Sequence, residues 1–364
     1  MKYESTFFSA NGITEHFYAL TSVPGADFPT EAKALLRSYR DLANGTTPVF
    51  LRFHVSDVTN QAALLRELVG PAPSIVGQPP AGSGKIAIEA YHLSGNGFSV
   101  SRHGGCTELR LKNYRQLFFH AENLAAKGSG PQMKEEFDHA EKLLREHGGT
   151  PEKNLQRTWI YCRDIDNNYA GLVQARRDVF RQYGLTENTH YIASTGIEGQ
   201  SDPPDRLVRM DSFALFGHRD EQIEYMQALE HLSPTHLYGV TFERGTRILY
   251  GDRSRYWISG TASIDSAGRI VHPGSVAKQA ERMTENVEAL LRNHRGGLAD
   301  LKQAVVYLRD SSDAPVVDAV LKERLSPDTA VLMVKAPVCR PGWLVEMEGV
   351  AVNASGNPQF KEFA

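Results

Sequence analysis

The chain switches between two hydrophobic periods, and the switching repeats. Three stretches, 49–57, 158–164 and 305–310, place an apolar, alternating run before an acid: Asp57, Asp164 and Asp310. A period of two predicts strands. After each comes a stretch with apolar residues at three- and four-residue spacing, at 60–69, 169–183 and 314–325. In the last, Ala314, Val317, Val320, Leu321 and Leu325 form the stripe. That spacing predicts amphipathic helices. Three longer helix patterns lie upstream, at 29–43, 131–147 and 275–293; Ser275 reads as the cap of the third and Gly296-Gly297 as its stop. Downstream, each stretch closes on a strand pattern that carries an acid at Glu89, Asp211 or Glu348.

The order is strands, helix, strand, helix, two strands, and it occurs three times. It predicts an α+β chain of three tandem units, each a mixed sheet with two helices on one face. The units run 1–95, 96–220 and 236–354, with 221–235 as linker and 355–364 as tail. The spacing is too long for a solenoid repeat of roughly 20–50 residues, so each repeat is a whole domain. A length of 364 residues fits this, being too long for one ordinary core.

Composition narrows the class. A hydrophobic fraction of 41% and a charged fraction of 23% are those of a globular protein, and a net charge of −3 offers nucleic acid no general basic face. Short basic pairs such as Arg176-Arg177 read as solvated helix faces. The N-terminal residues lack the basic start and apolar run of a signal peptide, and no stretch approaches the roughly 18 apolar residues of a membrane helix. Cys106, Cys162 and Cys339 are scattered and form no metal-type pair, which fits free thiols in the cytoplasm. The thirteen histidines form no triad or zinc motif, and no dinucleotide fingerprint appears, so neither metal nor cofactor is implied. The Ser83-Gly84-Lys85 segment lacks a following helix and reads as a turn between strands.

The third unit carries a family resemblance. Trp257-Ile258-Ser259-Gly260-Thr261-Ala262-Ser263-Ile264-Asp265, then Gly268, Gln279, Asn286-Val287 and Leu290-Leu291, resembles the opening of a Rid (YjgF-like) domain. Leu344-Val345-Glu346-Met347-Glu348-Gly349-Val350-Ala351 resembles its signature strand. Rid proteins are trimers with sites in the clefts between subunits, so the resemblance implies a monomer that acts as a pseudo-trimer. Arg157-Thr158-Trp159-Ile160-Tyr161, Phe242-Glu243-Arg244-Gly245-Thr246 and the run from Ala336 to Glu346 are similar to blocks of chorismatases, Rid-like enzymes that remove pyruvate from chorismate. One chorismatase class has a cysteine seven positions before the active-site glutamate, the spacing of Cys339 and Glu346. The segment before Phe242 is shorter than in those enzymes. Asp328 stands approximately where Rid proteins carry a carboxylate-binding arginine, which shifts anion binding to Arg340, or to Arg244 and Arg309.

Comparing the units separates scaffold from chemistry. Glu89, Asp211 and Glu348 occupy one position and read as structural, whereas two residues earlier stand Ala87, Arg209 and Glu346. On a strand, Glu346 and Glu348 share a face about 6–7 Å apart, and like charges at that distance raise a carboxyl pKa. Together with the resemblance, which implies the active-site glutamate at this position, this makes Glu346 the candidate general acid/base, and Cys339 a candidate proton donor or nucleophile if Arg340 stabilises its thiolate. Arg340 and Arg244 are candidate carboxylate binders, and Ser259-Gly260-Thr261 resembles the Rid motif in which a serine lines the pocket, which implies Ser259 and Thr261 as pocket-lining residues. Arg157 and Tyr161 would reach a cleft or support it from beneath; Trp159 and Tyr307 read as core. The partner is a small carboxylate-bearing molecule, with no nucleic acid and no membrane. Three functions stay open: a chorismatase-like lyase or hydrolase, an imine or enamine deaminase of the Rid type, and a non-catalytic ligand-binding or regulatory protein. Other Rid members are labelled ribonucleases or translation initiation inhibitors, for which the negative chain gives no physical support.

Overall fold

The first sheet begins with a hairpin, β1 (Lys2–Ala10) and β2 (Ile13–Thr21), whose two-residue turn puts Asn11 and Gly12 at positive φ, 50° and 76°. That turn matches the twist of the strands it joins. Helix α1 (Phe28–Leu42) starts where the Asp27 carboxylate accepts from Thr30 N at 2.8 Å. Strand β3 (Thr47–Val55), helix α2 (Val58–Val69), β4 (Ser74–Gly77) and β5 (Ile86–Gly95) complete the unit. The spatial order is β1-β2-β5-β3-β4, with β3 and β4 parallel and the other pairs antiparallel. Both helices cover one face, where Leu35, Leu36, Ala62 and Leu65 pack on Phe53, Ile75 and Ile88. The computed structural model describes residues 2–364, apart from the side chain of Tyr238; Met1, the start of the first expected unit, lies outside the described residues.

The same order returns twice. The second sheet holds β6 (Ser99–His103), β7 (Cys106–Arg110), β8 (Arg115–His120), β9 (Leu155–Cys162), β10 (Ala193–Glu198) and β11 (Val208–Phe216). Its helices are α3 (Ser129–Glu146), the single turn α4 (Pro151–Asn154) and α5 (Ile165–Gln182). The third sheet holds β12 (Ile223–Tyr225), β13 (Gly245–Leu249), β14 (Ser254–Ala262), β15 (Leu301–Leu308), β16 (Ala330–Lys335) and β17 (Val345–Asn353), under α6 (Val276–Asn293) and α7 (Ala314–Arg324). Every sheet sets its closing strand between the hairpin and the parallel pair: β5, β11 and β17. Strand β12 falls within 221–235, expected as linker, and pairs with β13 at the sheet edge. Ser275 precedes α6 as expected, but caps it through its carbonyl, which accepts from Gln279 N at 2.9 Å, with no hydrogen bond from its side chain. No helix of the described residues is long and apolar enough to cross a membrane.

The three sheets contact one another cyclically. The end of β4 pairs with the segment after β10 (Gly77 with Gln200), the end of β10 with the segment after β16 (Ile197 with Val338), and the end of β16 with the segment after β4 (Val334 with Pro80). Arginines cross in the same sense. Arg52 of the first unit reaches Asp211 of the second at 2.9 Å, and Arg157 of the second reaches Glu348 of the third at 2.7 Å. Arg253 and Arg255 of the third reach Glu15 of the first, both at 2.9 Å. Buried charges need such partners, because an unpaired one costs several kcal/mol. Between the sheets sits an aromatic core in which Phe50 stacks on Trp159, Trp159 meets Trp257 edge-on, and Phe213 packs on Phe118 and Trp257. Trp159 and Tyr307 are core, as expected, and Arg157 and Tyr161 are buried supports.

Candidate active site

The closing strand of the third unit delivers the two acids. In β17, Glu346 lies opposite Tyr307 of β15 and Ala262 of β14, and Glu348 lies opposite Val305. Both are buried, at 5% and 3% exposure. Glu348 is spoken for by Arg157, whose guanidinium also donates to Thr195 Oγ1 at 2.5 Å. Thr195 Oγ1 in turn accepts from Gly260 N at 2.9 Å, where the register of β14 against β17 shifts. The shift and the missing side chain at Gly260 make room for Glu346: a Cβ there would overlap Glu346 Oε1 and crowd Thr195. The pKa of Glu346 is pushed up to about 8, first by burial and then by Glu348, against the pull of Arg244 and Arg157. At neutral pH the carboxyl carries its proton and can give it away.

Glu346 opens on a cavity of about 390 Å³ between the second and third units. The third unit supplies Arg244, Gly260, Ala262 and Ile264, and the loop that follows β16 supplies Cys339, Arg340 and Trp343. Helix α5 of the second unit supplies Tyr169, Val173, Arg176 and Arg177. Phe242, just before β13, stands in the wall beside Arg244. Arg244 is 6% exposed and donates to the Ser233 carbonyl at 2.9 Å, while Arg340 lies over the Trp343 ring at 5.2 Å from its centroid. Trp343 is fixed by its indole N–H, which donates to Ser263 O at 3.0 Å. Glu346, Cys339, Arg340 and Arg244, expected from sequence to work together, are thus brought to one cavity.

Other expectations meet a different placement. The Cys339 thiol is pushed up to about 12, by burial first and by Glu346 second, which outweighs Arg340. That direction favours the neutral thiol, which suits the proton donor expected from sequence better than the nucleophile. Ser259 and Thr261 are not among the cavity-lining residues. Ser259 Oγ donates to Glu243 O at 2.6 Å and accepts from Ser194 N at 2.9 Å, and Thr261 Oγ1 donates to Ser259 O at 2.9 Å, so both are used by the wall itself. Arg309 holds Asp166 through two hydrogen bonds of 3.0 and 2.9 Å and ties α5 to the third unit. Asp328 is exposed in the turn before β16.

Sequence reading missed Arg176. It is 1% exposed and faces the cavity, whereas it was expected on a solvated face. Helical spacing carried the signal, since Arg176 lies three residues after Val173 and four before Phe180, both on the buried stripe of α5. Its neighbour Arg177 is half-buried and donates to Gly239 O at 2.5 Å. Among the described residues, no group of three or more His, Cys, Asp or Glu side chains is placed to hold a metal.

Three Rid-type sheets in one chain, with a buried acid in a cleft between two of them, define the class. The chain belongs to the RutC (Rid, YjgF-like) family. Residues 252–353 match the family described as Endoribonuclease L-PSP, and the chain is 30% identical over 108 residues to the RutC family protein UK114 of Drosophila melanogaster, covering 29% of this chain and 75% of that protein. A more extensive likeness is to the 3-hydroxybenzoate synthase of Streptomyces hygroscopicus, 27% identical over 237 residues, or 58% of this chain and 66% of that one. The matched part spans about 61–66% of such curated relatives. The crystal structure of a chorismatase superposes with a TM-score of 0.69 at 23% identity, covering 94% of this chain and all of that one, and establishes the shared three-sheet fold.

Proposed function

We propose that the chain is a chorismatase-like enzyme that cleaves an enol ether in a small, carboxylate-bearing substrate. The observation that carries this is the burial of Glu346, its pKa pushed up to about 8, in a cavity that also holds Arg176, Arg244 and Arg340. The arginines supply planar forks that take carboxylates by paired hydrogen bonds, and they orient the substrate with its enol carbon toward the acid. Glu346 gives its proton to the enol methylene carbon, and positive charge develops at the neighbouring carbon that bears the ether oxygen. The bond from that oxygen to the ring then breaks, its electron pair completing the carbonyl of pyruvate and the positive charge passing to the ring. Where the remaining ring becomes a hydroxybenzoate, it loses a proton as it turns aromatic, so Glu346 is restored and no water is consumed overall. Cys339, as a neutral thiol, contributes polarity and shape at the ring rather than a nucleophile.

The test is incubation of the purified protein with chorismate, reading pyruvate and hydroxybenzoate. Product with wild type and none with Glu346→Gln is expected. Ammonia released from an amino-acid-derived imine, with chorismate untouched, would replace this reading with a Rid-type hydrolase. Inactivity of wild type in both assays would favour a ligand-binding protein.

A further inference from the structure

Two of the cavity's guanidinium groups share one aromatic ring. Arg176, from helix α5 of the second unit, lies with its guanidinium carbon 5.9 Å from the centroid of Phe242, and Arg244, just before β13 of the third unit, lies 5.4 Å from it. All three side chains line the same cavity. We propose that Phe242 is a positioning residue of this site, a ring that holds Arg176 and Arg244 so that their forks receive one substrate carboxylate across the boundary between the units.

The backbone around Phe242 is fixed on both sides. Its carbonyl accepts from Thr235 Oγ1 at 2.6 Å, and the next residue, Glu243, donates its N–H to Ile192 O at 3.1 Å and accepts from Tyr191 N at 2.7 Å. The ring is therefore placed by both units before any ligand arrives. An arginine side chain loses much rotamer freedom when it is held in one geometry, and a ring face lowers that loss while leaving the N–H edges available to a carboxylate. Two guanidiniums at one ring also repel each other. Both charges line one cavity, so the arrangement favours a carboxylate there over a neutral ligand of the same shape. A plain filler would need only apolar volume; a brace needs an aromatic face.

The proposal rests on the reading of this cavity as a carboxylate site, and binding separates it from the proposed reaction. Isophthalate, an inert aromatic dicarboxylate, is titrated by calorimetry into wild type, Phe242→Leu and Phe242→Tyr, with a thermal melt of each. Phe242→Leu is expected to weaken isophthalate binding by about tenfold, and Phe242→Tyr to stay within about threefold of wild type. Leu binding as tightly as wild type, or Tyr losing as much as Leu, overturns the brace. So does wild type that fails to bind isophthalate. If Phe242→Leu does not fold, Arg176→Lys is measured instead, since lysine keeps the charge without the stacking plane. It should show the same tenfold loss, and unchanged binding overturns the proposal. Intact binding with no turnover of chorismate would overturn the proposed reaction alone.

Discussion

Between the second and third units, β17 presents Glu346 to a cavity of about 390 Å³; between the first and second, the matching position of β11 presents Arg209. Arg209 is 2% exposed, donates to Ser74 Oγ at 3.2 Å and lies 3.4 Å from Asp211. In the remaining unit the position is Ala87, wholly buried. The surroundings differ to match. Opposite Glu348 the strand bulges at Ser259 and Gly260, while opposite Asp211 stands His120 with a full side chain. The same position of the closing strand thus holds a cavity-facing acid beside a glycine in one cleft and a buried arginine in the other. The acid two residues later, kept in all three units, has an arginine partner each time: Glu89 and Asp211 with Arg52, and Glu348 with Arg157.

The largest expected effect is at the acid. Glu346→Gln should lower turnover of chorismate by roughly a thousandfold, measured as pyruvate release, while leaving the fold intact. An active Gln variant would remove the distinction between the clefts. Next come the struts. Arg157→Met should cost about 3–5 kcal/mol in urea unfolding, because it strands Glu348 in the interior. Arg209→Met should cost less, since Asp211 keeps Arg52 at 2.9 Å.

A smaller effect concerns pH. The folded pKa of Glu346 is about 8 against an ordinary 4.5, so the native state holds a proton that the unfolded chain gives up. Its contribution to stability is full below about 4.5 and is lost as pH rises through about 8. Wild type should therefore weaken between pH 5 and pH 9 relative to Glu346→Gln, and its turnover should fall above about pH 8 as the acid loses its proton. Matching stability slopes for the two proteins would contradict this. The smallest effect is at the thiol. Cys339→Ala should keep turnover within about an order of magnitude, and iodoacetamide should modify Cys339 slowly at pH 7.5, because so little thiolate is present.

The repeated core of the fold was legible because its elements follow from local periodicity: β5, β11 and β17 open on alternating residues, and α1, α3 and α6 each carry an apolar stripe, whereas the three-residue β12 is too short to show a period. Glu346 was legible for a different reason, as the point where three otherwise matching strands diverge. What the sequence hid is what links distant positions. Arg52 and Asp211 are 159 residues apart, and Arg157 and Glu348 are 191 apart, so no window along the chain joins them. Arg176 was misread because its neighbours Arg177 and Asp178 are polar, although its own helical position faces inward. Ser259 and Thr261 were assigned to the pocket from a motif, and the backbone of their own strand and its neighbours takes up their hydroxyls.

The arginines that cross from unit to unit have a thermodynamic consequence. Each unit holds an acid whose counter-charge belongs to the unit before it in the cycle, and the aromatic core draws on all three sheets. Detaching any one unit would expose apolar rings and strand buried charges in both that remain. The three repeats should therefore melt together in a single cooperative calorimetric transition, with no stable intermediate in which one unit has come away.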